Sequence, residues 1–310
     1  MSLANVRKGK LDLPLRVLLY GVEGVGKSTF AARAPKPIFL GADAGTENLD
    51  IVRMPEPRTW TEVFEAVDEL QDQPHDRESL VIDPVNFLEP LCWSHLCTKN
   101  KWDSIEDPGF GKGYDAALEE WRLLIARIER LWCTRRMNVI ILAHVRLKLF
   151  KNPEGDDFER YTLPMHEKSA GLLRQWCAFV LFAKHNLFAH KDAKTKRVRG
   201  VTDGARVIHT EWSAAFDAKN RANLPPELAL SWDRFVEAVK ASQEREAVLR
   251  KQIADGVKEI GDPEVARKVD AYVKDAGDDI TRLAEIANAV AVKLSEKIAA
   301  EDTNAGAAGT

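Results

Sequence analysis

The chain lacks any run of 18 apolar residues, so no membrane-spanning helix is expected. Cysteine is scarce. Four in 310 residues (Cys92, Cys97, Cys133 and Cys177) do not make a disulfide scaffold. Cys92, His95 and Cys97 lie close together, but not at the spacing of a zinc ribbon or finger. Leu91, Trp93 and Leu96 surround them, which favours a reduced, partly buried helix. There is no excess of positive charge. With a formal net charge of -3, any contact with nucleic acid has to come from local basic stretches. Met1 to Asp12 is polar and has no apolar signal core, so a cytoplasmic protein is expected. No internal repeat is visible. The length suits one large α/β domain with an appendage.

What is present is more specific. Gly21-Val22-Glu23-Gly24-Val25-Gly26-Lys27-Ser28-Thr29 fits G-x-x-x-x-G-K-[ST], the phosphate-binding loop. The apolar run Arg16 to Tyr20 before it reads as a buried strand, and Ser28 to Arg33 can open a helix. Backbone N–H groups of such a loop converge on phosphate oxygens. Lys27 would reach the β- and γ-phosphates of ATP, and Ser28 would offer its hydroxyl to Mg2+. Leu80-Val81-Ile82-Asp83 is a strand ending in an acid. Asp83 is the expected metal-side partner of Ser28, and Pro84 behind it also suits a plain turn.

Elsewhere the pattern alternates strand and helix. Strands are expected at 38–42, 79–83, 138–145 and 178–183; the third of these ends near His144 and leads into a long polar loop at 147–168 and a helix ending near Gln175, before the last. Thr59 and Glu62 form a capping box for a helix. Residues 85–99 and 114–136 read as helices, with a glycine-rich loop at 100–113 between them. A hairpin region follows at 184–212, with strands near Val198–Val201 and Arg206–Thr210. This order predicts a mainly parallel sheet with antiparallel strands added at one edge. From Ser231 onward strand signals stop. Gly261-Asp262-Pro263 and Ala276-Gly277-Asp278 divide the remainder into about three helices. The expected divisions are an N-terminal extension (1–13), an ATPase core (14–240), a helical C-terminal region (241–300) and a disordered tail (301–310).

Candidate chemistry follows from position. Asp43 and Glu47 come after the second strand, where loops sit over such sites, and either could position the attacking water. His144 ends a buried strand beside the expected γ-phosphate. It reads as a sensor that reports to the following loop, or as a satisfied core residue. Lys219-Asn220-Arg221 places two cations on one face of an extended segment. They could complete a neighbouring subunit's site, or be a solvated turn. Two stretches mix cations with aromatics and could hold nucleic acid: Lys99, Lys101, Trp102 and Lys112, then Arg146, Lys148, Lys151, Arg160 and Lys168. Acids dilute both.

In this order of features the chain resembles the RecA-like recombinase core, over about residues 14–240. The loop, Asp43, Leu80 to Asp83, His144 and the Lys219/Arg221 pair carry the likeness. It looks most similar to small phage-type ATP-binding proteins that assist single-strand annealing and recombination. The resemblance implies an α/β P-loop NTPase with a RecA-like core, ATP and Mg2+ as cofactors, and single-stranded DNA as partner. It also implies a ring or filament of identical subunits, contact with other replication or recombination proteins, and a place in a host cytoplasm. The DNA loops would be 100–113 and 147–168. Asp43 stands where RecA-type enzymes use Glu, and His144 where RecA has glutamine. Both departures bear on hydrolysis rate and strand exchange rather than on ATP binding; the expected activity is slow, DNA-stimulated hydrolysis. Two rival readings are an AAA+ remodeller or helicase loader acting on protein, with Arg267 or Arg282 as a lid arginine, and a nucleotide-gated binding module with little turnover.

Overall fold

The computed structural model describes residues 13–41, 44–191 and 198–307, with backbone alone at 44, 187–191, 198–201 and 301–307. In chain order the elements are β1 (Arg16–Gly21), α1 (Lys27–Ala32), β2 (Pro37–Leu40), β3 (Val52–Arg53), α2 (Trp60–Asp72), β4 (Ser79–Ile82), α3 (Leu88–Asn100), α4 (Lys112–Thr134) and β5 (Asn138–Ala143). There follow β6 (Arg146–Phe150), β7 (Phe158–Thr162), α5 (Glu167–Trp176), β8 (Phe179–Lys191), β9 (Val198–His209), β10 (Lys219–Asn220), β11 (Glu227–Ala229), α6 (Trp232–Ile260), α7 (Pro263–Ala276) and α8 (Ile280–Ala307). The chain divides into two compact units. One comprises residues up to Asn220 with Pro226–Trp232, the other Arg221–Pro225 with Asp233 onward.

The first unit is built on one large sheet, in the order β11-β9-β8-β1-β5-β4-β2-β3, with β10 paired to β8. From β8 to β3 all neighbours along this path are parallel; β9, β10 and β11 add antiparallel pairings at the other edge. This is the arrangement expected from the alternating pattern. The central strands are apolar at successive positions because both faces are covered. Leu18, Tyr20, Leu80, Ile82, Val139 and Ile141 face a core shared with α2, α3, α4 and α5. Their neighbours Val17, Leu19, Val81, Ile140 and Leu142 are also fully buried. Trp60 and Trp121 meet edge-on at the centre of the helical layer, ring centroids 5.1 Å apart.

Local chemistry explains the boundaries. Thr59 caps α2, its hydroxyl accepting from Glu62 N at 3.2 Å. The Glu62 carboxylate returns to Arg58 N at 2.6 Å, one residue earlier than a capping box requires. The loop between α3 and α4 is tied down: Trp102 packs against the core and Ile105 is buried within it. Buried Glu89 on α3 accepts from His166 N with both oxygens, at 3.0 and 2.9 Å, and so caps α5. Burial pushes its carboxyl pKa up.

Two expectations are corrected. The segment 147–168 is not a loop: β6 and β7 pair antiparallel from Arg146–Thr162 to Phe150–Phe158. Leu147 and Leu149 alternate with cations in β6, but Phe158 and Tyr161 in β7 break that period, and Asn152 and Asp157 close the turn. Likewise the stretches near 198–201 and 206–210 are one strand, β9, pairing with an extended β8 through a register shift between His185 and Leu187.

The second unit is helical, with its own core of Ile253, Ile260, Val269, Leu283 and Val290. Its breaks fall where glycine and proline put them. Asp262 caps α7, accepting from Glu264 N at 2.8 Å, with Pro263 in the first turn. Gly277, at φ 56°, ends the helix. The helix α8 continues to Ala307, through much of the stretch expected to be a disordered tail; its alanines favour helix.

Two outcomes test this fold. A Cβ on Gly113 would lie 1.8 Å from the Ile105 carbonyl oxygen. Alanine there should therefore destabilise by about 1–3 kcal/mol through overpacking, outweighing the ~1 kcal/mol that Gly-to-Ala gains in a helix, as read by denaturant unfolding. His209, on β9, has its imidazole pKa lowered from 6.5 by burial and by Lys184. A lowered pKa means that stability is full above the unfolded value and is lost as pH falls toward the folded one. The melting temperature should drop on acidification below about pH 6.5, and less so in His209→Gln.

Candidate nucleotide site

The site forms where the parallel strands end. β1 pairs with β5 on one side and β8 on the other, and β5 with β4. β1 and β5 end together, with Tyr20 opposite Ala143, and β4 ends two residues earlier, with Ile82 opposite Ile141; the residues after β1 and the acid after β4 meet through Ser28 and Asp83. Gly21 allows the close approach that starts the loop: a Cβ there would lie 2.1 Å from the Ala183 carbonyl oxygen. Gly26, at φ 105°, sits in the left-handed region that suits glycine, and its carbonyl accepts from Phe30 N at 3.0 Å to open α1.

Ser28 Oγ donates to Asp83 Oδ2 at 2.6 Å. Asp83 is buried, 4 % exposed, and its N–H donates to Leu40 O at 3.1 Å. Lys27 is buried too, its Nζ donating to the carbonyls of Gly21 and Val22 at 3.0 Å each. A cleft of about 270 Å3 is lined by Gly24, Gly26, Lys27, Ser28, Thr29, Thr46, Asp83, His144 and Arg206 among others. Of the remaining motif residues, Val25 is buried in the core and Glu23 is exposed. A hydroxyl and a carboxylate this close are hard oxygen donors that suit Mg2+, which keeps several waters and bridges to phosphates. Ser28 and Asp83 would hold the ion, which would supply positive charge against the phosphate oxygens.

His144 lies one residue past β5, in the cleft. Its N–H donates to Asn86 Oδ1 at 3.0 Å, and its ring sits 5.6 Å from that of Phe87. The acid-bearing turn after β4 thus braces the histidine.

The other candidates are less centred. Asp43 lies outside the described residues. Glu47 is exposed and lines a neighbouring cleft of about 550 Å3 with Gly41, Arg53 and Phe87. The short 3-10 turn Ala44–Thr46 buries Thr46 and leaves Glu47 outward; Arg53 holds the turn by donating to the carbonyls of Thr46 and Leu49. Lys219 pairs with Val180 near the start of β8, away from Ala183 where the loop begins. Its Nζ donates to the carbonyls of Arg174 and Gln175, at 2.6 and 3.1 Å, as a cation at a helix C-terminus does. Arg221 belongs to the second unit. Arg206, which the sequence reading did not single out, lines the cleft. No local motif marks it; only the β8–β9 register could have.

The nucleic-acid candidates divide. Lys99 meets Glu120 at 3.3 Å, Lys168 meets Asp115, and Arg160 pairs with Asp217 at 2.6 Å. Trp102 packs against the core. Lys101, Lys112, Arg146, Lys148 and Lys151 are exposed. The last three lie on β6 or directly after it, two to seven residues beyond His144.

A parallel sheet with this loop and this facing acid defines a P-loop NTPase fold. The family model of the AAA domain (AAA_24) matches residues 13–222, and the chain belongs to that family, a P-loop ATPase type of domain. No curated protein matches the chain. Among the described residues no helix is long and apolar enough to cross a membrane.

Ser28→Ala should lower Mg2+-dependent affinity for a fluorescent ATP analogue by roughly tenfold or more, as loss of a metal-site partner does. Binding in EDTA should stay near that of the unaltered protein. An equal loss in both conditions would sink the metal assignment.

Proposed function

We propose that the protein binds ATP with Mg2+, hydrolyses it slowly, and couples this to binding of single-stranded DNA in recombination, annealing or repair. The observation that carries the nucleotide half is the 2.6 Å contact between Ser28, in the first turn of α1, and Asp83, directly after β4. Lys27 orients phosphate, and Asp43 or another group supplied to the cleft positions water. His144 relays occupancy to β6, which begins two residues later.

The β6–β7 hairpin supports the DNA half. Lys148 and Lys151 are exposed beside Leu149 and Phe150, and a cleft of about 360 Å3 runs among them with Arg160 and Arg174. Cations with aromatic side chains bind a single strand without reading its sequence. Glu167 and Asp217 also line this cleft, which keeps the attraction modest. The subunits act as a RecA-like homo-oligomer in the cytoplasm, with other recombination proteins as further partners. Because Lys219 is engaged with α5, the role of a trans cation falls on Arg221.

Hydrolysis measured with and without single-stranded DNA, across salt, tests this reading. Stimulation should appear and fade steeply as salt rises, since phosphate contacts release counterions. Lys148→Glu with Lys151→Glu should remove the stimulation while leaving DNA-independent hydrolysis in place. Lys27→Ala should abolish hydrolysis, and Arg221→Ala should impair it without abolishing ATP binding. Hydrolysis indifferent to DNA would favour a remodeller acting on protein; ATP binding with no hydrolysis would favour a gated binding module.

A further inference from the structure

The antiparallel edge of the sheet brings to the nucleotide cleft a cation that the phosphate-binding motif does not contain. β8 runs beside β1 until Ala183 meets Gly21, where β1 gives way to the loop. β8 then continues, and β9 returns along it with Arg206 opposite His185, two residues beyond that point. The register alone sets Arg206 level with the loop. Its Nη1 lies 3.0 Å from where a Cβ on Gly26 would stand. It shares the cleft with Lys27, Ser28, Asp83 and His144.

The backbone around Arg206 is well held. Its carbonyl accepts from Leu230 N at 2.9 Å, and the next two residues of the strand, Val207 and Ile208, pair with Ala229 and Leu228. Leu230 itself comes within 3.7 Å of the same Gly26 position. Val207 and Ile208 are buried, whereas Arg206 is exposed to the cleft. Among the described residues, no carboxylate forms an ion pair with its guanidinium. An exposed arginine on a strand is ordinarily a solvated side chain. This one brings a guanidinium nitrogen beside the loop glycine, in the cleft it shares with Lys27 and Ser28, and the forked donors of arginine match phosphate oxygens.

We propose that Arg206 is a phosphate-binding residue of the nucleotide site, supplied by the same chain that supplies the loop. The assignment rests on the ATP-binding reading given above and deepens it. It means that one chain holds the nucleotide with two cations, Lys27 and Arg206, before any neighbour contributes. It also gives Gly26 a second reason to lack a side chain, beyond its backbone conformation.

The test is a titration of fluorescent ATP and ADP analogues against the full chain and its Arg206→Ala and Arg206→Lys variants, at several protein concentrations. Thermal melts without nucleotide check that each variant is folded. Arg206→Ala should bind roughly 10- to 100-fold more weakly, the range for losing charge-assisted hydrogen bonds, and Arg206→Lys should fall between. Mixing Arg206→Ala with Lys27→Ala should not restore tight binding, because both groups must come from one chain. If the unaltered chain binds nucleotide and Arg206→Ala matches it within twofold, this assignment fails and the ATP reading stands. Restored binding in the mixture would overturn the same-chain claim. If the unaltered chain binds neither analogue, the ATP reading fails and the assignment with it.

Discussion

The parallel register of β1, β5 and β4 is the constraint on which the rest depends. Parallel pairing matches Leu18 with Ile141 and Ile141 with Ile82, so the acid after β4 emerges a short step below the point where β1 gives way to the loop. The hydroxyl of Ser28 can then reach Asp83 across the intervening strand. A slip of one residue in any of these pairings would turn a buried strand's faces over and separate the two groups. The apolar side chains on both faces of the sheet therefore do more than fill the core. They fix the register that lets Ser28 meet Asp83.

Polar contacts in the same unit bind the periphery to that frame. Glu89 holds the start of α5, and the ring of His166 stacks on Tyr114 at 4.1 Å, which joins α5 to the start of α4. Exposed ion pairs such as Arg122 with Glu119 contribute only about 0–1 kcal/mol each and do not decide the fold. Buried Glu120 differs. It accepts from Trp60 at 3.3 Å and meets Lys99 at its edge, so Lys99 serves the helical layer as well as presenting charge.

The parts legible in the sequence were those coded locally. The phosphate-binding loop, the strand before it and the acid after β4 are contiguous patterns, and Asp262-Pro263 and Gly277 stop and start helices by their own backbone chemistry. What sequence could not show depends on pairing between distant segments. Arg206 reaches the loop only because β9 folds back along β8. The Lys219-Asn220-Arg221 spacing suggested two cooperating cations, but a tertiary contact draws Lys219 to the end of α5. The β6–β7 hairpin looks like a loop in sequence because its residues are mostly charged and polar and β7 keeps no alternating period. Glu47 was a fair candidate by distance along the chain, and one short turn directs it away from the cleft.

Asp217 has a consequence for the hairpin. Its backbone carbonyl accepts from the hydroxyl of Tyr20, at 2.6 Å, on the strand that leads into the phosphate-binding loop. Its carboxylate meets Arg160 of β7 at 2.6 Å and Arg174 of α5 at 3.5 Å. Arg160 therefore already has an anion. A polyanion that bound at the hairpin would have to compete with an internal ligand for that arginine, and the competitor is anchored one residue from Gly21. Such binding would be connected to the setting of β1 by an exchange of partners rather than by a rigid rod.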